Sequence, residues 1–66
     1  MWVITEDNIA VNMDHVTLMW VREMNGRFEV KAEADSKPGT LKVFKTKDQA
    51  EEYIQNLVTA ANRRNK

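Results

Sequence analysis

Residues 21–30 read Val-Arg-Glu-Met-Asn-Gly-Arg-Phe-Glu-Val, and this stretch decides the fold. At its centre, Asn25-Gly26 is the strongest short hairpin signal, because a type I′ turn needs a positive φ at both central residues. Downstream, residues 27–35 alternate between charged and apolar side chains without a break. A period of two is typical of a strand that buries one face. The stretch therefore predicts an antiparallel hairpin with one inner and one outer face.

The length of the turn sets which residues face each other across the hairpin. A two-residue loop pairs Val21 with Val30 and Thr17 with Ala34, and it places Phe28 on the inner face. A three-residue loop with a bulge at the glycine shifts the register by one residue and exchanges the two faces of the upstream strand. The sequence leaves both registers open, and Asn-Gly favours the two-residue loop.

The two-residue register leaves an apolar stripe on the outer face of the strand predicted over residues 15–24. The stripe consists of Val16, Leu18 and Trp20, and Arg22 flanks it. The exposed face of a monomer should be polar, so such a stripe indicates a surface covered by a second subunit or another protein. Tryptophan and arginine are also enriched among the residues that dominate interfaces. We therefore predict that these four residues bind a partner, whereas in the bulged register Trp20 is an ordinary core residue.

Two short strands are predicted before the hairpin, over residues 2–5 and 9–13, around a polar turn at residues 6–8. Asp14 marks the next turn before the hairpin begins. Together with the hairpin and one later strand, these segments predict a meander of four or five strands.

The later strand is predicted over residues 40–44. Pro38 and Gly39 lie in an evident turn before it, and they should stop the strand from extending backwards. Alternation along the strand predicts that Leu41 and Val43 share one face and that the lysine between them lies on the other.

A single helix closes the chain. Thr46 is the N-cap candidate, and Gln49 three residues later completes a capping-box pattern. Apolar residues then recur at helical spacing, at Ala50, Tyr53, Ile54, Leu57, Val58 and Ala61. This stripe should pack onto the inner face of the sheet. The predicted fold is therefore α+β: an antiparallel β-meander of four or five short strands packed against one C-terminal α-helix. It forms a single domain over residues 1–62, with a frayed basic tail over residues 63–66.

Composition limits the function classes. The chain has 66 residues, with ten basic and ten acidic side chains and no cysteine. The lack of cysteine excludes disulfides and thiolate metal sites, and it favours the cytoplasm, since small secreted domains usually need such crosslinks. Residues 1–5 are followed at once by acidic residues, and no segment approaches the ~20 apolar residues of a membrane span. We expect a cytoplasmic protein without membrane contact.

Catalytic or metal-binding chemistry finds little support in the sequence. The one histidine, His15, follows Asp14, and neighbours on a strand point to opposite faces, which disfavours a shared metal ion. Ser36 lies in a turn with no nucleophile-elbow or oxyanion-hole motif beside it. Gly26 and Gly39 each serve a turn rather than a phosphate-cradling loop. We predict neither enzymatic activity nor a cofactor.

Nucleic-acid binding is the alternative function. Residues 36–66 are rich in basic side chains, and Lys42, Lys45, Arg63 and Arg64 could neutralise phosphates. Against this, the net charge of the chain is zero, and the outer face of the predicted sheet interleaves glutamates with its lysine. A protein partner, or a second copy of the chain, is therefore the favoured prediction.

Three segments resemble small proteins of phages, prophages and their bacterial hosts that are built as a β-meander followed by one helix. These segments are residues 11–16 (Val-Asn-Met-Asp-His-Val), residues 21–30, and Phe44-Lys45-Thr46 running into residues 50–54. The resemblance implies a small host-directed or assembly accessory protein, and it brings no known activity, cofactor or active-site residue. Leu18-Met19-Trp20 is more apolar than that pattern requires, which again indicates an interface.

Overall fold

Five strands precede one long helix in the computed structural model, which describes the backbone of residues 1–64 and the side chains of residues 1–62. The elements are β1 (Trp2–Ile4), β2 (Ala10–Asn12), a 3-10 turn (Met13–His15), β3 (Val16–Met24), β4 (Arg27–Ala34), β5 (Lys37–Phe44) and α1 (Lys47–Arg64). All pairings are antiparallel: β1 and β2 form a two-stranded sheet, and β3, β4 and β5 form a three-stranded meander that packs against α1. The predicted α+β fold is confirmed.

The turn between β3 and β4 has the predicted two-residue form. Asn25 and Gly26 have φ angles of 52° and 76°, as a type I′ turn requires. Met24 therefore lies opposite Arg27, and the pairing continues without a shift as far as Leu18. The two-residue register is confirmed over this stretch, and the alternative with a bulge at the glycine is wrong.

The register changes at the start of β3. A bulge between Val16 and Leu18 places Val16, and not Thr17, opposite Ala34. Because a one-residue shift exchanges the faces of a strand, Val16 turns inward and packs against the core. The predictions of a Thr17–Ala34 pair and of an outward Val16 are therefore wrong.

The turn between β4 and β5 is shorter than predicted. It consists of Asp35 and Ser36, both with positive φ angles (54° and 67°), so β5 already begins at Lys37. The prediction that Pro38 and Gly39 stop the strand is wrong. Proline is tolerated here because β5 is an edge strand, and the position without an N–H faces away from β4.

A second bulge, in β5, separates two residues that were predicted to share a face. The register of β4 against β5 shifts between Val30 and Lys31, where Leu41 is the extra residue. Leu41 is buried in the core, whereas Val43 lies opposite Glu29 on the outer face. The prediction of a common face for Leu41 and Val43 is therefore wrong, because simple alternation does not hold across a bulge.

The core is thin and lies between the inner face of the three-stranded sheet and α1. Among the described residues, the buried hydrophobic side chains are Val30, Ala32, Leu41 and Ala50. Partly buried side chains surround them, including Met19, Val21, Phe28, Tyr53, Ile54 and Leu57. Removing a larger apolar side chain from water contributes roughly 1.5–3 kcal/mol. With so few such residues, the sheet and helix depend on each other.

The helix begins as predicted and ends later than predicted. The Gln49 N–H donates to Thr46 Oγ1 at 3.2 Å, which confirms Thr46 as the N-cap. Val58, which was predicted to face the sheet, is exposed. The backbone of α1 continues to Arg64, so residues 63 and 64 of the predicted tail are helical, and residues 65–66 lie outside the described part of the chain.

The first hairpin docks by its turn on the free edge of β5. The Glu6 N–H donates to the Leu41 carbonyl at 3.2 Å, and the Val43 N–H donates to Glu6 Oε1 at 3.1 Å. Val11 also contacts the core. Both predicted strands before the main hairpin exist, with shorter bounds, and they form a separate small sheet.

Gly26 has a positive φ angle and Gly39 does not, so the same substitution to alanine at the two positions provides a test and its control. An L-residue in the left-handed region costs roughly 1–2 kcal/mol, so Gly26→Ala should lower the free energy of unfolding by about that amount. Gly39 has no positive φ and an added Cβ meets no atom within 4 Å, so Gly39→Ala should cause no loss. Urea denaturation of both variants measures the difference. Equal losses would contradict the type I′ turn.

Candidate interaction surface

The outer face of the three-stranded sheet carries exposed apolar side chains along β3. Leu18, Trp20 and Met24 are 57%, 38% and 43% exposed. They alternate with the inward-facing Met19 and Val21, so they share the face that points away from α1. Together with Arg22, which lies between Trp20 and Met24, they form what we call the β3 stripe.

Of the four residues predicted to bind a partner, the structure places three in this stripe. Leu18, Trp20 and Arg22 lie on the outer face, whereas Val16 contacts the core behind the bulge. Met24 takes the fourth place in the stripe. Sequence reasoning missed Met24 as a site residue, although its alternation with Trp20 and Arg22 already indicated the same face.

A row of charged side chains on β4 borders the β3 stripe. Glu29, Lys31 and Glu33 lie opposite Arg22, Trp20 and Leu18, respectively. The Lys31 ammonium donates to Thr40 Oγ1 of β5 at 2.8 Å, which holds its charge away from the indole of Trp20. The outer face is therefore apolar along one edge and polar along its middle. The apolar residues therefore lie along an edge of the sheet, with polar residues beside them.

A second apolar patch lies on the first hairpin. Trp2 and Ile4 are 66% and 59% exposed, and they share one face of β1 because they are two residues apart. The inward residue between them, Val3, lies opposite Val11, which contacts the core. Trp2 is thus an exposed tryptophan on a surface other than the β3 stripe.

The residues predicted to bind nucleic acid do not form one patch. The Lys42 ammonium lies 5.9 Å from the centres of the Phe44 and Tyr53 rings, where it takes part in cation–π contacts. Lys45 is exposed just before α1 begins. The backbone of Arg63 and Arg64 is at the other end of that helix, about 24 Å away at the usual rise per residue. Their side chains lie outside the described part of the structure.

The groups considered for metal binding or catalysis are dispersed. His15 Nδ1 lies 3.3 Å from Asp35 Oδ2, and both side chains are largely exposed. Asp14 Oδ1 lies 3.7 Å from the N-terminal amine. Within residues 1–64, no group of three or more metal-ligating side chains occurs. Ser36 belongs to the β4–β5 turn.

Two of the cavities in the described part of the structure lie beside the first hairpin and α1. The larger, of about 510 Å³, lies between the first hairpin and the β4–β5 hairpin, and its apolar lining includes Ile9, Val11 and Leu41. The smaller, of about 280 Å³, lies over Phe44 and Tyr53. His15 lines neither cavity.

In the described part of the chain, no helix has the length and apolar character needed to cross a bilayer. No protein-family model, curated protein or solved structure matches this chain.

Among the described residues, Tyr53 has a perturbed environment. Burial first, and the Glu6 carboxylate second, raise the pKa of Tyr53 above the ordinary value of 10.0. Both causes disfavour the phenolate. Glu6 is held near this site because it docks on Val43, next to Phe44, whose ring centre lies 5.4 Å from that of Tyr53.

The Glu6→Gln variant should lower the pKa of Tyr53 but leave it above 10, since burial remains, and its amide oxygen can still accept from Val43. Because the folded pKa is raised, the contribution of Tyr53 to stability should be complete below about pH 10 and lost as the pH rises through the folded pKa. Absorbance at 295 nm reports the titration directly, because Tyr53 is the one tyrosine. Glu51→Gln on the exposed side of α1 is the control. Equal shifts in both variants would contradict the role of Glu6.

Proposed function

We propose that this protein is a non-enzymatic interaction module that associates with itself or with another protein through the β3 stripe. The observation that supports this function is the exposure of Leu18, Trp20 and Met24 side by side on one strand. The stripe is part of a hydrogen-bonded sheet whose other face is packed against α1. It therefore presents its side chains in a fixed geometry, which lowers the entropy lost on binding.

Burial supplies the driving force. A fully buried tryptophan removes ~150–250 Å² from water, and covering Trp20 removes the 38% that is still exposed. Apolar area removed from water contributes about 25 cal/mol per Å². Trp20 is the centre of the stripe, with Leu18 on one side and Arg22 on the other. Tryptophan and arginine are common among the residues that carry most of the binding energy in interfaces.

The small core supports the same proposal. Few described side chains are fully buried, and the chain contains no cysteine for a disulfide. A single core of this size rarely supplies more than ~3–5 kcal/mol, and oligomerisation is one of the usual additions. Covering the β3 stripe would extend the apolar contacts of β3 from one face of the sheet to both.

The resemblance to small phage and prophage proteins extends the proposal to a biological setting. On that basis, we propose an accessory protein of the cytoplasm that acts by binding, either to a component of the host or during assembly. The absence of cysteine is consistent with a reducing compartment. The interaction itself rests on the β3 stripe alone.

The Trp20→Ala variant should remain folded and should associate more weakly than the wild type, because the indole lies on the outer face rather than in the core. Trp2→Ala is the matched control, since Trp2 is also exposed and lies on a different surface. Sedimentation velocity and light scattering across a concentration series measure association, and circular dichroism checks folding.

Two outcomes would contradict the proposed use of this face. In one, Trp2→Ala weakens association and Trp20→Ala does not, which would move the interface to the first hairpin. In the other, Trp20→Ala unfolds while the wild type is monomeric at high concentration and binds no protein. That result would make Trp20 a structural residue.

A further inference from the structure

The two edges of the three-stranded sheet are protected to different degrees. On β5, Glu6 bonds to the Leu41 carbonyl and the Val43 N–H, Pro38 has no N–H to offer, and a bulge interrupts the strand at Leu41. Coverage, proline and bulges are the devices by which proteins prevent a sheet edge from pairing with another chain. The β5 edge has all three.

The β3 edge has none of these devices between Leu18 and Met24. In a two-residue hairpin, Met24 and Arg27 form a hydrogen-bonded pair. Every second residue of β3 counted back from Met24, as far as Leu18, therefore also directs its N–H and C=O groups toward β4. The groups of Met19, Val21 and Glu23 therefore point away from the sheet. Among the backbone groups of residues 1–64 and the side chains of residues 1–62, none donates to or accepts from them.

We infer that the partner of the β3 stripe is a second copy of this chain, which pairs its own β3 antiparallel to this one about a two-fold axis at Val21. The inference rests on the proposed function and specifies its partner. It joins the two meanders into one continuous six-stranded sheet. The row of N–H and C=O groups without a protein partner is the reason, because another strand can pair with such a row along its whole length.

The position of the axis follows from the two interruptions of β3. The strand is regular from Leu18, just after the bulge, to Met24, just before the turn. Val21 is the midpoint of this segment. A two-fold axis at Val21 therefore matches the whole regular segment with its copy, whereas any other antiparallel register leaves part of the segment opposite a bulge or a turn.

The side chains of β3 complement one another in this register. On the outer face, Leu18 lies opposite Met24 of the second copy, so an apolar residue meets an apolar residue. Trp20 lies opposite Arg22 of the second copy, an arrangement that allows a cation–π contact. The symmetry repeats both pairs, and no like charges face each other directly. The two β3 stripes then lie side by side across the middle of the joined sheet, and each covers the flank of the other that faces the new pairing.

This register predicts a specific crosslink. Leu18 and Met24 direct their backbone groups toward β4, so across the new pairing they form a non-hydrogen-bonded pair, whose Cα atoms are ~4.5 Å apart. Leu18 of one copy is displaced by six residues along the strand from Leu18 of the other copy, so the two residues are about 20 Å apart. The same distance separates the two copies of Met24. The chain has no cysteine of its own, which allows clean single-cysteine variants.

The test is a mild oxidation of Leu18→Cys and Met24→Cys, each alone and as an equimolar mixture, followed by non-reducing electrophoresis and mass spectrometry. We expect a disulfide-linked dimer in the mixture, containing one chain of each variant, and little dimer in either variant alone. Both side chains are exposed, so neither substitution should prevent folding.

Amide hydrogen exchange of the wild type gives an independent measurement: at high concentration, the N–H groups of Met19, Val21 and Glu23 should exchange at least about tenfold more slowly than at low concentration.

The outcomes separate this inference from the proposed function. Mixed disulfides together with slower exchange at the three amides would support edge pairing. A second outcome is that Trp20→Ala weakens association while those amides exchange at the monomer rate. The β3 stripe would then bind face-on or bind another protein. Edge pairing would be overturned, and the proposed function would stand. Same-variant disulfides that form as readily as mixed ones would overturn the Val21 register. A wild type that neither associates nor captures a partner through Trp20 would overturn both.

Discussion

Two consecutive positive φ angles, at Asn25 and Gly26, set the geometry on which the rest of this structure depends. They close β3 and β4 into a two-residue turn, and the turn length fixes the register that carries Val21 and Val30 to the inner face. A shift of β3 by one residue would send the indole of Trp20 into the core and Val21 into water. One turn thus decides which side of the sheet α1 can cover.

The small size of the core explains the devices that surround it. The bulge near Thr17 turns Val16 inward, and the bulge at Leu41 lets Phe44, rather than Val43, join Leu41 on the inner face. Bulges also increase the local twist and bend of a strand, which lets a short meander follow the helix. The protein thereby gains apolar contacts for a core that its length would otherwise leave poorly filled.

The same strand combines the features relevant to binding. β3 carries the exposed side chains of Leu18 and Trp20, and it is also the edge whose backbone groups remain without partners within the described residues. Its counterpart β5 is closed by Glu6 and Pro38. A protein that protects one edge and leaves the other open, with an apolar stripe beside it, has the features expected of a surface that another strand covers.

The sequence by itself favoured, but did not fix, the register that directs Leu18, Trp20 and Arg22 outward. It determined the local elements: the Asn-Gly turn, the alternation of β4 and the Thr46 cap. Each depends on residues a few positions apart, so short-range stereochemistry is sufficient to predict it. Only the tertiary structure decided the inward turn of Val16, the early start of β5 and the docking of Glu6 on Val43. The reason is that bulges and edge contacts arise where distant segments must fit against one another around a single helix, and no local pattern records that fit.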